Sequence, residues 1–324
     1  MSNKKVTVFG GGTGSYITLS GLKPYKIDLA SIVTMMDSGG STGRLRDQLG
    51  VLPPGDFRQC LVAMSEAPVL WRKLFLYRFS KGDFKGHNFG NIFLSALEKV
   101  TSNYQDVVRA ANYILKIKGQ VIPVTFDKVN LYAQYNSGKL IESESGIEKY
   151  LTIIDRIDRL YLQPEAKANP LAIKRIKQSN FLIFGPGDLF TSIIPILLVK
   201  GIKESIICSK TKLVFIMNLM TKLGQTTSYT AMDHLNTLEK YLSRKIDIVV
   251  INNGKISEDV IKWYFAHKEI PVLDNTLGIY KQKVVYYDLI DTSKYLKQSS
   301  DRLNRSLIRH DQKKLGKLLS NIII

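Results

Sequence analysis

The residues best suited to binding chemistry lie in glycine-rich segments that directly follow apolar, strand-like runs. In the first of these, residues 10–15 read GGGTGS and follow the run KVTVF at residues 5–9. A glycine-rich turn lets the backbone approach a phosphate closely, and the N-terminus of the following helix offers free N–H groups at the positive end of its dipole. The pattern predicts that a phosphorylated, nucleotide-type ligand contacts Gly11, Gly12, Thr13 and Gly14.

This first segment differs from two well-known nucleotide-binding motifs. It is not a Walker A loop, because no Gly-Lys-Ser/Thr follows it, and Ser15 stands where the GxGxxG dinucleotide motif has its third glycine. We therefore expect neither ATP hydrolysis nor ordinary NAD chemistry. A tight turn without a ligand is the alternative that the segment alone leaves open.

A second polar segment, residues 37–46 (DSGGSTGRLR), follows the next predicted strand, residues 31–36. It should lie beside the first segment, since ligands of open parallel sheets bind at the carboxyl ends of the strands. Asp37 could accept a hydrogen bond from a ribose or substrate hydroxyl, or hold Mg²⁺ through water. Arg44 could pair with a phosphate. The alternative is a flexible surface loop with solvated arginines.

Three later segments could complete a binding site. Residues 185–188 (GPGD) follow the predicted strand 181–184 and precede a predicted helix at 191–199, so that Gly185 and Gly187 repeat the pattern of the first segment. Asn91 lies in GHNFGN at another predicted helix start, and Asn218 ends the predicted strand 213–218. Two anion-ready helix starts in one sheet suit a ligand with two separated polar parts, such as a nucleotide-sugar.

The elements that must position these residues alternate between strands and helices along most of the chain. This rhythm predicts an α/β fold, a Rossmann-like, mostly parallel sheet with helices on both faces. A small β-rich insert is expected at about residues 120–163, within a single domain of residues 1–324. Leu70, Leu74 and Tyr77 share one face of a further predicted helix.

Composition limits the classes of partner. The net charge is +18, yet the chain has no Arg/Lys run of five and no zinc-finger spacing, so nucleic acid is not the expected partner. No apolar run reaches the length of a membrane helix, which argues against membrane insertion. The two cysteines are far apart within apolar stretches and are expected to be buried free thiols in a reducing, cytoplasmic setting. Four histidines without metal-pair spacing argue against zinc.

Six ordered segments together resemble one known family. GGGTGS, TMMDSGGSTGRLRDQLG, PPGDFRQCLVAMSE, GHNFGN, FGPGDLFTSIIPILLVKGI and NLMTKLGQTTSYTAMDHL are similar to the YvcK-type gluconeogenesis factors. That family is a branch of the CofD-like superfamily, which includes 2-phospho-L-lactate transferase. The resemblance implies a cytoplasmic bacterial protein that binds UDP-sugars of the UDP-N-acetylglucosamine or UDP-glucose type. It implies a regulator of carbon metabolism, cell-wall synthesis and cell shape, with no established reaction and no certain cofactor.

The resemblance also implies which residues line the pocket. They are the residues named above together with Tyr264 and Arg309, which lie in late segments similar to the family's uridine-side contacts. One departure is that Asp37 is followed by Ser38, whereas the family usually has two adjacent acids. Losing a carboxylate weakens a Mg²⁺ site and counts against the alternative function, a CofD-like transfer of a phospholactyl-type group from a nucleoside diphosphate donor. The sequence leaves open whether the protein forms a homo-oligomer.

Overall fold

The computed structural model describes residues 3–276, 280, 283–292 and 306–324. Its strands are β1 Lys5–Gly10, β2 Asp28–Val33, β3 Gln120–Pro123, β4 Asn130–Tyr135, β5 Leu140–Glu142, β6 Ile157–Gln163, β7 Phe181–Phe184, β8 Lys212–Ile216, β9 Ile248–Asn252 and β10 Lys283–Tyr287. Its helices are α1 Gly12–Leu22, α2 Gly40–Leu49, α3 Pro54–Met64, α4 Val69–Leu76, α5 Phe89–Val100, α6 Tyr104–Leu115, α7 Glu144–Lys149, α8 Pro170–Gln178, α9 Ile194–Leu197, α10 Ile202–Ile207, α11 Ala231–Leu242, α12 Glu258–Ala266 and α13 Gln312–Ile323.

The main sheet confirms the predicted fold class. Its seven strands are all parallel and lie in the order β10-β9-β8-β7-β1-β2-β3, with helices on both faces. From β1 the chain adds β2 and β3 on one side of the sheet, and from β7 it adds β8, β9 and β10 on the other side. The strand order therefore reverses between β1 and β7, and such a switch point opens a crevice at the carboxyl ends of the strands.

The β-rich insert begins later than expected. Its first strand, expected at residues 121–124, is observed as β3, Gln120–Pro123, which pairs in parallel with β2 and is the edge strand of the main sheet. The separate three-stranded antiparallel sheet has the order β5-β4-β6 and carries α7. The correction has a simple cause: Val121 and Ile122 are buried, and a short apolar strand fits a parallel sheet as well as a hairpin.

A buried arginine holds the amino-terminal ends of the first two strands. Arg175 of α8 donates to Thr7 Oγ1 at 3.0 Å, to the Val6 carbonyl at 3.2 Å and to the Asp28 carbonyl at 2.6 Å. It also pairs with the Asp28 carboxylate at 2.8 Å. The guanidinium therefore ties β1 and β2 together at the end of the sheet opposite the predicted site.

One smaller expectation needs correction. Both cysteines are free, but Cys208 is exposed at the end of α10 and only Cys60 is buried. The helix predicted around Leu70 and Leu74 is present as α4, and Leu70 and Tyr77 are exposed. Within the described part of the chain, every helix is too short or too polar to span a bilayer.

Candidate ligand-binding site

The two predicted glycine loops contact each other at the switch point. A Cβ added to Gly14 would overlap the Pro186 carbonyl, so the first turn of α1 rests directly on the second loop. Thr18 Oγ1 adds a hydrogen bond of 3.4 Å to the Gly185 carbonyl. Gly12 and Gly185 have φ angles of +62° and +81°, which side-chain-bearing residues rarely adopt. The glycines thus permit a close approach of two loops that no other residue type allows.

The second glycine loop does not lead into the regular helix predicted for residues 191–199. Leu189–Ile193 forms a π-helical turn, in which the Ile193 N–H reaches back to the Asp188 carbonyl at 3.2 Å, and the short α9 follows. Pro195 explains part of this irregularity, because it has no N–H with which to continue the α-helical pattern. π-helical turns are frequent at functional sites.

Two carboxylates lie at the start of α3, and that of Asp56 also lies against the first glycine loop. Asp37 accepts a hydrogen bond from the Gly39 N–H at 2.9 Å, and its other oxygen lies against Gly55 at the start of α3. Asp56, in the first turn of α3, lies so close to Gly11 that a Cβ there would overlap its carboxylate. The N-terminal ends of α1, α2 and α3 therefore converge, and acids at a helix N-terminus are stabilised by the helix dipole.

The insert contributes a third carboxylate to this region. Glu144, at the start of α7, accepts hydrogen bonds from the Ser38 N–H at 3.2 Å and the Ser38 hydroxyl at 3.4 Å. The insert thus places a carboxylate beside Ser38, the position at which the resemblance implies a second acid. Burial, and then the charges of Asp37 and Glu148, raise the pKa of Glu144 well above its usual value.

A lysine connects the insert to the second glycine loop. Lys222, in the segment after β8, lies 3.6 Å from the Asp188 carboxylate and 3.9 Å from that of Glu148. The Asp188 charge is the largest contribution to the raised pKa of Lys222, followed by burial, which opposes it, and by Glu148. Since Glu148 also faces Glu144, one cation partly offsets a group of acids from three parts of the chain.

The raised pKa of Glu144 predicts a specific pH dependence of stability. Ionising this carboxyl is harder in the folded than in the unfolded chain, so its contribution is fully present below the unfolded pKa and is lost as pH rises through the folded pKa. Glu144→Gln cannot ionise and should have a higher Tm than the wild type at pH 8, with a smaller gain at pH 5. Thermal unfolding measures this, with the exposed Glu165→Gln as the control. Equal gains at both pH values would contradict it.

Asn218 follows β8 at the same carboxyl edge, as predicted. Its Oδ1 is buried and, within the described residues, lacks a hydrogen-bond partner; Ser15 Oγ in α1 and Thr191 Oγ1 in the π-helical turn share this property. Buried polar atoms normally have partners, so these three oxygens mark places where a ligand or ordered water would complete the site.

His310 is a neighbour of this region that the sequence did not single out. Complete burial lowers its pKa to about 4, opposed by a hydrogen bond to the Met217 backbone, so the ring is neutral at pH 7. Its Nε2 is buried and has no partner among the described residues. Met217 directly precedes Asn218, so a second acceptor atom lies next to the predicted contact.

Arg44 and Asn91 lie in a polar cluster at the starts of α2 and α5. The Asn91 side chain donates to Ser41 Oγ and Thr42 Oγ1, each at 3.3 Å, and accepts from Arg58 Nε at 2.7 Å. Its whole amide is thus engaged within the protein, which makes it a residue that positions α2. Arg44 Nη2 donates to the Lys85 carbonyl at 3.4 Å.

His87, in the same cluster, is 3.2 Å from Ser41 Oγ through its Nδ1. Burial, and then the charges of Arg44 and Arg78, lower the pKa of His87. The positive charge of Arg44 therefore lies close to His87, in the cluster at the starts of α2 and α5.

Tyr264 and Arg309 lie close together beyond Asn218. The buried Tyr264 hydroxyl accepts hydrogen bonds from the N–H groups of Leu307 at 2.8 Å and Ile308 at 3.3 Å, directly before Arg309. Its ring packs in a small apolar cluster with Leu219, Met220, Ile290 and Ile308. Leu219 follows Asn218, so Tyr264 fixes the segment that carries Arg309 next to the end of β8.

Metal binding depends on how the carboxylates are grouped. Across the described residues, no three His, Cys, Asp or Glu side chains are grouped so that they could hold a metal ion. Mg²⁺ bound together with phosphates needs only one or two carboxylates, and Asp37 and Asp56 are the ones at the start of α3. Binding of Mg²⁺ at these two carboxylates, together with the phosphates of a ligand, therefore stays a prediction.

Comparison with known proteins agrees with this architecture. The family model described as 2-phospho-L-lactate transferase CofD matches residues 6–290. A gluconeogenesis factor from Bacillus subtilis is 36% identical over 323 residues, covering 98% of both chains. One from Listeria innocua is 35% identical over 310 residues, covering 94% of both. A crystal structure of a UPF0052 family member from Bacillus halodurans superposes with a TM-score of 0.88 at 33% identity, over 99% of both chains. The chain belongs to the gluconeogenesis factor family, within the CofD-like group.

Proposed function

We propose that the protein binds a nucleotide-sugar of the UDP-N-acetylglucosamine or UDP-glucose type and acts in the cytoplasm as a regulator of carbon metabolism, cell-wall synthesis and cell shape. The observation that carries the proposal is the contact between the two glycine loops at the switch point. A diphosphate suits this place because backbone N–H groups and helix dipoles there attract anions.

The remaining contacts support a ligand longer than a phosphate. The unpartnered Asn218 Oδ1 and His310 Nε2 lie along the same edge as acceptors for the N–H donor of a base or the hydroxyl of a sugar. Tyr264 and Arg309 extend this line further from the glycine loops. The names of the relatives support a role in carbon metabolism.

Titration calorimetry with UDP-N-acetylglucosamine tests the proposal. We expect saturable binding that weakens about tenfold or more in Gly187→Ala, because a Cβ there would hold a phosphate away from the N–H groups of the loop, and a hydrogen bond to a charged group contributes about 1.5–3 kcal/mol. A Cβ at Gly187 has only ordinary contact with Ser192, so the fold should tolerate it. Asn136→Ala, at an exposed position in the insert's hairpin, is the control and should bind normally. No heat at millimolar ligand would reject the proposal.

The alternative is a CofD-like transferase that moves a phospholactyl-type group from a nucleoside diphosphate donor to an acceptor. The family model and the carboxylates of Asp37 and Asp56 at the start of α3 favour it. Product formation from a nucleotide–phospholactate donor and a deazaflavin acceptor, lost in Asp37→Asn, would support this alternative. Binding of the UDP-sugar without any turnover would support the regulator instead.

A further inference from the structure

Helix α4 lies on the surface and contributes little to the core. Phe75 is its one buried residue, although six of its eight residues are apolar. Large apolar side chains are exposed along the helix and the segment that follows it; they are Val69, Leu70, Trp71, Leu76, Tyr77 and Phe84. Leu70 is 76% exposed and Phe84 57% exposed. Contiguous exposed apolar surface of this kind marks an interaction site. We call residues 68–85 the α4 surface.

The aromatic side chains of the α4 surface support one another. The ring centroids of Tyr77 and Phe79 are 5.1 Å apart, and those of Phe79 and Phe84 are 5.4 Å apart. The segment is also fixed at its base, because the Phe79 N–H donates to the His87 carbonyl at 2.9 Å. Phe84 therefore projects from an ordered platform, which reduces the entropy lost when it is buried against a partner.

The charges of the α4 surface specify the chemistry of the partner. It carries five cations, of which Lys73, Lys81 and Lys85 are exposed and Arg72 and Arg78 half-buried, and one exposed acid, Asp83. Trp, Phe and Leu interleaved with Lys and Arg are typical of helices that lie in the plane of a membrane interface, where the apolar groups enter the acyl boundary and the cations contact anionic headgroups.

We propose that the α4 surface docks the protein reversibly onto an anionic lipid bilayer. A second copy of the chain fits less well, because a two-fold contact would set this group of cations against itself. Single-stranded nucleic acid fits less well because the aliphatic Val69, Leu70 and Leu76 offer no ring on which a base can stack. The α4 surface would hold the protein on the face of the bilayer, with no segment of it crossing the membrane.

Vesicle flotation of the full chain tests this inference. Vesicles of phosphatidylcholine with roughly one third phosphatidylglycerol, which have a negative surface potential, should carry the protein, and pure phosphatidylcholine should bind it at least about tenfold less. The double variant Leu70→Ser, Phe84→Ser should lose about tenfold or more on the anionic vesicles. Ile154→Ser, at an even more exposed apolar position on the insert, is the control and should bind like the wild type.

Three outcomes would overturn the inference. They are no flotation with anionic vesicles, equal flotation of the double variant, or a salt-sensitive complex of the α4 surface with poly-uridylate in place of lipid. Concentration-dependent dimerisation abolished by the double variant would assign the surface to a second copy instead. The double variant should still bind UDP-N-acetylglucosamine in calorimetry, because the proposed nucleotide-sugar site lies at the strand ends and not on the α4 surface. This measurement separates a failure of the membrane inference from a failure of the proposed function.

Discussion

Gly14→Ala is expected to destabilise the protein by about 2 kcal/mol or more and to abolish high-affinity ligand binding. The added Cβ would overlap the Pro186 carbonyl, a backbone atom that cannot rotate away, so the two glycine loops must move apart. Overpacking of this kind typically costs about 1–3 kcal/mol. Denaturant unfolding measures the stability, and titration calorimetry with UDP-N-acetylglucosamine measures the binding.

Gly187→Ala is the matched control for the stability of this contact. Its Cβ would lie 3.6 Å from that of Ser192, which is an ordinary contact, and the free energy of unfolding should stay within about 0.5 kcal/mol of the wild type. Comparable stability of the two variants would show that the loops do not pack as described.

Arg175→Ala should have the second large effect, a loss of about 3 kcal/mol in the free energy of unfolding. The change removes the ion pair with Asp28 and leaves two buried backbone carbonyls without their guanidinium donor. Removing one partner of a buried pair typically costs about 3–5 kcal/mol, and the partial exposure of Asp28 places this case at the lower end. Lys177→Ala, exposed on the same helix, should change stability by less than about 0.5 kcal/mol. A small effect in Arg175→Ala would contradict the structural role given to this clamp.

Local sequence patterns predicted the strands and the loops that follow them. Phe181–Phe184 was predicted to the residue, and β1 with its glycine loop to within one residue, because an apolar run followed by glycines leaves few alternatives. The seven parallel strands followed from the alternation of strands and helices. Glycine positions were also informative, because the close approach of Gly14 to Pro186 leaves no room for a side chain.

Helix α2 was not predicted because tertiary packing, and not the helix propensity of its own residues, stabilises it. Its first residues are GSTG, which have low helix propensity, so the sequence alone does not predict a helix here. In the fold, a Cβ at Gly43 would overlap the Ser38 carbonyl and one at Gly55 would meet Thr42 Oγ1, so close packing holds the helix. Arg44 and Arg46 are therefore helical residues with fixed positions.

Long-range contacts of the site could not be predicted from spacing. Glu144 is more than one hundred positions from Asp37, and only the docking of the insert brings its carboxyl to Ser38. For α4 the periodicity indicated a helix, which is present, but it could not tell which side the protein covers. Asn91 was predicted to line the pocket, and the structure shows that its amide binds Ser41, Thr42 and Arg58.

The most direct test of the central claim is a crystal structure of the protein soaked with UDP-N-acetylglucosamine. We expect the diphosphate at the switch point, with its oxygens within hydrogen-bond distance of backbone N–H groups from both the first glycine loop and the Gly185–Gly187 turn. The uracil or sugar should reach Asn218 Oδ1. A ligand bound away from the carboxyl edge, or no bound ligand at a saturating concentration, would contradict the account.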